Sequence, residues 1–109
     1  MTETLSLNTR KRTALRSQAH QLKPVVIIGK EGITENVIVS INNAFNTREM
    51  LKVKVLENAP ETTKGCVDII LSDERMQETL LVQLMGRIIT LYRKNDKIFK
   101  SSRKKNKNS

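Results

Sequence analysis

Tryptophan is missing from this 109-residue chain, and aromatic residues make up only 3% of it: Phe45, Tyr92 and Phe99. A surface that reads nucleic acid by stacking bases on aromatic rings therefore has no platform, the more so because Phe45 falls on an apolar helical spacing that marks it for the core. Cysteine and histidine occur once each, as Cys66 and His20. One thiol cannot close an intrachain disulfide, and Cys66, beside Ile69 and Ile70, reads as a buried small hydrophobe. One His and one Cys supply neither a transition-metal cluster nor a Cys/His or Ser/His/Asp constellation, so no cofactor or metal is implied. No apolar run approaches the roughly 18 residues of a membrane span, and no apolar signal-type segment follows the start. The expectation is a soluble, cytoplasmic protein with no membrane partner and no small-molecule substrate. An Arg-rich beginning also suits a transit peptide, but Leu15, Ala19 and Leu22 form a stripe that belongs to a folded body.

Acidic residues are also few, 11 against 20 Lys and Arg, for a net charge of +9 and a pI near 10.1. Their distribution is uneven. Residues 1–30 carry +5, residues 31–92 carry −3 and residues 93–109 carry +7. Basic ends around an acidic middle imply a polyanionic partner, with nucleic acid ahead of an anionic membrane because no strong apolar face accompanies the basic runs. The acids gather in one stretch, Asp68, Asp73, Glu74 and Glu78, away from the basic ends, which leaves no acid/base pair for catalysis and argues against an enzyme.

With 38% hydrophobic residues and a mean hydropathy of −0.42, the chain suits one small globular domain, residues 1–95, followed by a tail, 96–109. From Arg93 onward Lys94, Lys97, Lys100, Arg103, Lys104, Lys105 and Lys107 alternate with Asn and Ser, a composition too polar to fold, so a disordered basic tail is predicted.

The stretch that organises the body is Val25-Val26-Ile27-Ile28 followed by Gly29-Lys30-Glu31-Gly32. Four apolar residues, all of them β-branched, predict a short strand that stops at Gly29. Thr34 then sits as an N-cap before Val37, Ile38, Ile41 and Phe45, which are spaced as on a helix extending to about Asn46. A glycine-bracketed loop between a strand and a helix start brings backbone N–H groups, the positive end of a helix dipole and Lys30 together, which suits a phosphate. The bland alternative is a tight turn, since glycine tolerates the backbone angles turns need.

Upstream, Asn8 caps a first helix over Thr9–Ala19 with Arg10, Lys11, Arg12 and Arg16. Four cations in seven residues with no acid among them favour a phosphate-facing surface over mere solubility. Lys23-Pro24 closes that helix region. Downstream, Met50 to Leu56 alternates, with Leu51, Val53 and Val55 one way and Lys52 and Lys54 the other, a half-exposed strand whose lysines either protect an edge or extend the basic surface. A third helix is predicted from Pro60 to about Gln77 with Cys66, Ile69, Ile70 and Met76 facing inward. Leu80–Met85 and Ile88–Tyr92, turning at Gly86-Arg87, form a hairpin. The strands Val25–Ile28 and Ile88–Tyr92 are apolar on both parities and should be buried on both faces, with helices on both sides of the sheet.

The blocks Leu22 to Glu35, Glu49 to Val55 and Val82 to Arg93 closely resemble, in order and separation, those of the CRM domain in its small bacterial single-domain form, the YhbY-like proteins. The resemblance spans residues 7–93. It implies an α/β fold of two to three layers, α-β-α-β-α-β-β with a four-stranded mixed sheet, similar to the C-terminal domain of translation initiation factor three. It further implies RNA binding through a Gly-x-x-Gly loop akin to that of KH domains, with ribosomal RNA in precursors of the large ribosomal subunit as partner. On this reading the RNA-binding residues are Gly29, Lys30, Glu31, Gly32, Arg10, Lys11, Arg12, Arg16, Lys23, Lys52, Lys54 and Arg87. Glu31 departs from the pattern, since a carboxylate at the loop tip repels phosphate. The alternative is a basic protein-interaction module in translation or RNA processing without direct sequence readout.

Overall fold

The computed structural model describes residues 9–94; the predicted tail and the Asn8 cap lie outside these residues. The element order is α1 (Thr9–Ala19), β1 (Pro24–Ile28), α2 (Glu35–Ala44), β2 (Met50–Val55), α3 (Thr63–Ser72), β3 (Leu80–Met85) and β4 (Ile88–Tyr92), with a short 3-10 turn, Glu74–Met76, after α3.

Two threonines start helices by the same device. The Thr34 hydroxyl accepts from the Val37 N–H at 3.3 Å, an amide that also donates to the Thr34 carbonyl at 3.0 Å, and the Thr62 hydroxyl accepts from the Gly65 N–H at 3.0 Å, an amide that the first turn leaves without a backbone acceptor. The third helix thus begins at Thr63 rather than at Pro60. It also ends before Gln77, because Asp73 takes an extended backbone (φ −73°, ψ 139°) and its carboxylate accepts from the Arg75 N–H, restarting the chain as the 3-10 turn.

The four strands lie in the order β1-β2-β4-β3. β1 and β2 are parallel, joined through α2, while β4 runs antiparallel to both β2 and β3. The β3–β4 hairpin turns at Gly86-Arg87, with a positive φ of 59° at Gly86 alone, as at the first central position of a II′ turn. One face of the sheet meets α2 and α3. There Val26, Ile28, Leu51, Val53, Val55, Ile89 and Leu91 pack with Ile38, Ile41, Phe45, Cys66, Val67, Ile70 and Met76. Cys66 is fully buried, and that burial pushes its thiol pKa up, away from thiolate chemistry. Ile69, predicted to face inward, is exposed, and Val67 takes its place because α3 presents the Cys66, Val67, Ile70 edge to the sheet.

The opposite face is partly covered by α1, which packs on β2 and β3. Ala19, Val82 and Thr90 are buried there, outside the main core. In β4 the successive residues Ile89, Thr90 and Leu91 are all buried, as its two-sided apolar pattern predicts. The same prediction fails for β1. Val25 and Ile27 stand 42% and 58% exposed, because β1 is an edge strand and α1 crosses its neighbours instead. An all-apolar strand specifies no exposed parity, but its place in the sheet decides whether a helix reaches it.

Candidate nucleic-acid interface

Gly29 to Gly32 form a closed turn in which the Gly32 N–H donates to the Gly29 carbonyl at 2.9 Å. Lys30 and Glu31 occupy its tip and are exposed, and their N–H groups make no hydrogen bond within the described residues. The two glycines differ in kind. Gly32 is buried with φ +73°, and a Cβ there would lie 3.0 Å from Pro60 Cγ, so backbone conformation and the Pro60 loop both demand glycine. Gly29 has no positive φ, and its Cβ would meet only Leu56 Cδ1 at 3.8 Å, an ordinary contact. The fold asks for glycine at 32 and merely accepts it at 29.

The helix that follows contributes less positive potential than the sequence suggests. Thr34 caps α2 and Glu35 occupies its first turn, where the Arg75 guanidinium holds its carboxylate by two bonds of 2.8 and 3.1 Å. The same guanidinium grips Asp73 through Nε at 2.8 Å and Nη2 at 2.9 Å. These bonds hold both carboxyls below their usual pKa range, that of Asp73 at about 2. An anion at the loop would therefore meet the turn's own N–H groups and nearby side-chain cations rather than an open helix end.

Those cations converge on one end of the sheet. The parallel pairing of Ile28 with Val55 and the bond from Val55 N–H to the Arg87 carbonyl at 2.8 Å bring the glycine loop, the end of β2 and the hairpin turn together. Lys54 and Arg87 are exposed there, and Lys52 lies half-exposed two residues further along β2. Alternation places Lys52 and Lys54 on the face that α1 partly covers, so the helix bearing Arg10, Lys11 and Arg16 lies on the lysine side, and Lys23 follows it in the link to β1. Lys30, Lys52, Lys54, Arg87, Arg10, Arg16 and Lys23 form no ion pair among the described residues. The acids Asp68, Asp73, Glu74 and Glu78 belong to α3 and the segment after it, packed against the opposite face.

Arg12 does not join them. Its Nη1 donates to the Leu81 and Val82 carbonyls at 2.9 and 3.0 Å, where a register shift in edge strand β3 frees backbone acceptors. A cation that sequence places on a phosphate-facing surface thus fastens α1 to the sheet. Arg93, counted from sequence among the basic residues of the C-terminal end, is likewise built in. It donates to Thr79 Oγ1 at 3.1 Å, Asn42 Oδ1 at 2.8 Å and the Arg75 carbonyl at 3.0 Å, and its guanidinium lies 4.5 Å from the centre of the Phe45 ring.

This arrangement has relatives. A Haemophilus influenzae protein named as an RNA-binding protein is 36% identical over 91 residues, covering 84% of this chain and 89% of its own length. Bacillus subtilis YqeI, named a probable RNA-binding protein, is 36% identical over 89 residues, 82% of this chain and 90% of its own. The solution structure of the Staphylococcus aureus protein SAV1595 superposes with a TM-score of 0.63 at 34% identity, covering 82% of this chain and 90% of that one. The family profile described as the CRS1 / YhbY (CRM) domain matches residues 7–93, which include every element of the sheet and all three helices, and the chain belongs to that family.

Proposed function

We propose that this protein binds RNA, with the Gly29–Gly32 turn as a phosphate anchor and Lys54, Arg87, Lys52, Lys23, Arg10 and Arg16 as the surrounding field, and that its target is ribosomal RNA in cytoplasmic precursors of the large ribosomal subunit, whose assembly it assists. The observation that carries the reading is the convergence of two unpartnered turn N–H groups with Lys30, Lys54 and Arg87, none of them ion-paired among the described residues. The names of the relatives support RNA as the partner. The ribosomal target is what the resemblance to YhbY-like proteins implies. Binding, not catalysis, is what such a surface does.

Lys30→Ala tests the anchor, because it removes one exposed cation and leaves the turn intact. RNA affinity should fall, and the slope of log K against log salt should shrink by about 0.7–0.9, the value of one phosphate contact. An unchanged slope would remove the loop from the interface, and association with the cellular partner that survives high salt would turn the reading toward a protein partner. Crosslinking in cells followed by sequencing of the attached RNA should return large-subunit ribosomal sequences; a spread over messenger or transfer RNA would overturn the ribosomal target.

A further inference from the structure

Strand register sets a row of side chains across the open half of the sheet. Ile27 in β1 pairs with Lys54 in β2, Lys54 with Ile88 in β4, and Ile88 with Met85 in β3. Ile27, Lys54 and Ile88 point away from the core, since their strand neighbours Val26, Ile28, Val53, Val55 and Ile89 point into it, and Met85 shares their face as the cross-strand partner of Ile88. α1 covers the next row, where Thr90 is 2% exposed, and leaves this one open. Ile27 and Met85, at 58% and 59%, are the most exposed large hydrophobic residues among those described, and Val25 extends the patch along β1. Apolar groups gathered this openly on one face mark a surface made to be covered.

The cations say by what. Lys54 sits within the row, Arg87 immediately precedes Ile88, and Lys30 stands on the adjoining loop, with no acid in the row itself. A protein partner would be served by the aliphatic groups but would have no need of this unneutralised charge. Nucleotides need both, because a base is apolar above and below its plane while its phosphate is anionic. A continuous A-form duplex offers only phosphates, riboses and groove edges, so it would leave Ile27, Ile88 and Met85 idle.

We propose that this row is a docking surface for unpaired RNA bases. With the backbone held at Gly29–Gly32, adjacent nucleotides lie on Ile27, Ile88 and Met85 while Lys54 and Arg87 meet the flanking phosphates. The proposal rests on the RNA-binding reading of the loop and adds the class of RNA: a loop, bulge or single strand in preference to continuous duplex. Without aromatic rings the contact is dispersion and surface burial, which tolerates any base and holds it less strongly than an aromatic stack would.

The test uses the full chain with Ile27→Thr and Met85→Gln combined, both at exposed positions, and two probes: a single-stranded oligouridylate and a blunt RNA duplex of mixed sequence. The double variant should bind oligouridylate about tenfold more weakly with an unchanged salt slope, and should bind the duplex as the parent does. Met85→Gln alone should show about a third of that loss, and serves if the double change disturbs the unfolding midpoint. Undiminished oligouridylate affinity in the folded variants overturns the proposal, as does a parent protein that prefers the duplex. Retained RNA affinity with loss of a protein captured from lysate would assign the row to a protein interface instead. Lys30→Ala reports on the loop separately: unchanged affinity and slope for both probes would sink the anchor, while loss in the apolar variants alone would locate the binding at the row.

Discussion

The two ends of the sheet use their cations in opposite ways. Where β4 ends, Arg93 is enclosed by Thr79, Asn42, the Arg75 carbonyl and the Phe45 ring. At the glycine-loop end, Lys30, Lys54 and Arg87 are exposed and have no acid partner among the described residues. Burial of a guanidinium is tolerable only where acceptors replace its lost water, and burial indeed pulls the Arg93 pKa down, with Glu78 opposing. An exposed cation without a partner stabilises nothing and keeps its charge available. One end therefore serves folding, and the other is the end proposed above for binding.

Arg93→Ala tests that contrast with the largest expected effect. It strands Thr79 and Asn42 acceptors and uncovers Phe45, so the protein should lose roughly 2–4 kcal/mol, read as a lower urea midpoint with an unchanged m-value. RNA affinity measured where the variant is folded should hardly move. A stable Arg93→Ala protein, or a folded one that fails to bind, would erase the distinction between the two ends.

The paired glycines bring the same comparison inside one turn. Gly32→Ala imposes a left-handed conformation on a residue with a Cβ and crowds Pro60, which should cost roughly 1–3 kcal/mol. Gly29→Ala meets only an ordinary contact and should stay within about 0.5 kcal/mol of the parent. If a phosphate approaches the turn closely, the stable Gly29→Ala protein should nonetheless bind RNA several-fold more weakly. Equal binding by Gly29→Ala would leave the Gly-x-x-Gly spacing with a structural meaning at Gly32 and none at Gly29.

Sequence exposes this division unevenly. Thr34 as a cap, the hairpin at Gly86 and the alternation of β2 were legible because each rests on neighbours a few positions apart. The uses of Arg12 and Arg93 were not, since their partners are contributed by distant segments: the carbonyls that hold Arg12 lie 69 and 70 positions along the chain. The openness of Ile27 was hidden for a related reason, because its apolar neighbours read the same whether β1 is central or at an edge. Asp73 and the shortened α3 show the limit of periodicity near helix ends, where one capping carboxylate outweighs the pattern.

The smallest expected effect concerns an arginine that is exposed yet committed. Arg75 bridges Glu35, just past the glycine loop, and Asp73 at the end of α3, and it depresses the Asp73 pKa from an ordinary 3.8 to about 2. Because the folded carboxyl titrates below its unfolded value, the linked stability is fully present above about pH 4 and disappears as pH falls toward 2. The clasp is near the surface, so salt should weaken it. Asp73→Asn should flatten the decline in urea midpoint between pH 4 and pH 2 while leaving RNA affinity at neutral pH unchanged, since these acids lie on the side away from Lys54. An unaltered acid profile would show that Arg75 holds Asp73 loosely. Tighter RNA binding by Asp73→Asn would show that freeing part of Arg75 adds it to the open cations, and the line between structural and available charge would then run through Arg75.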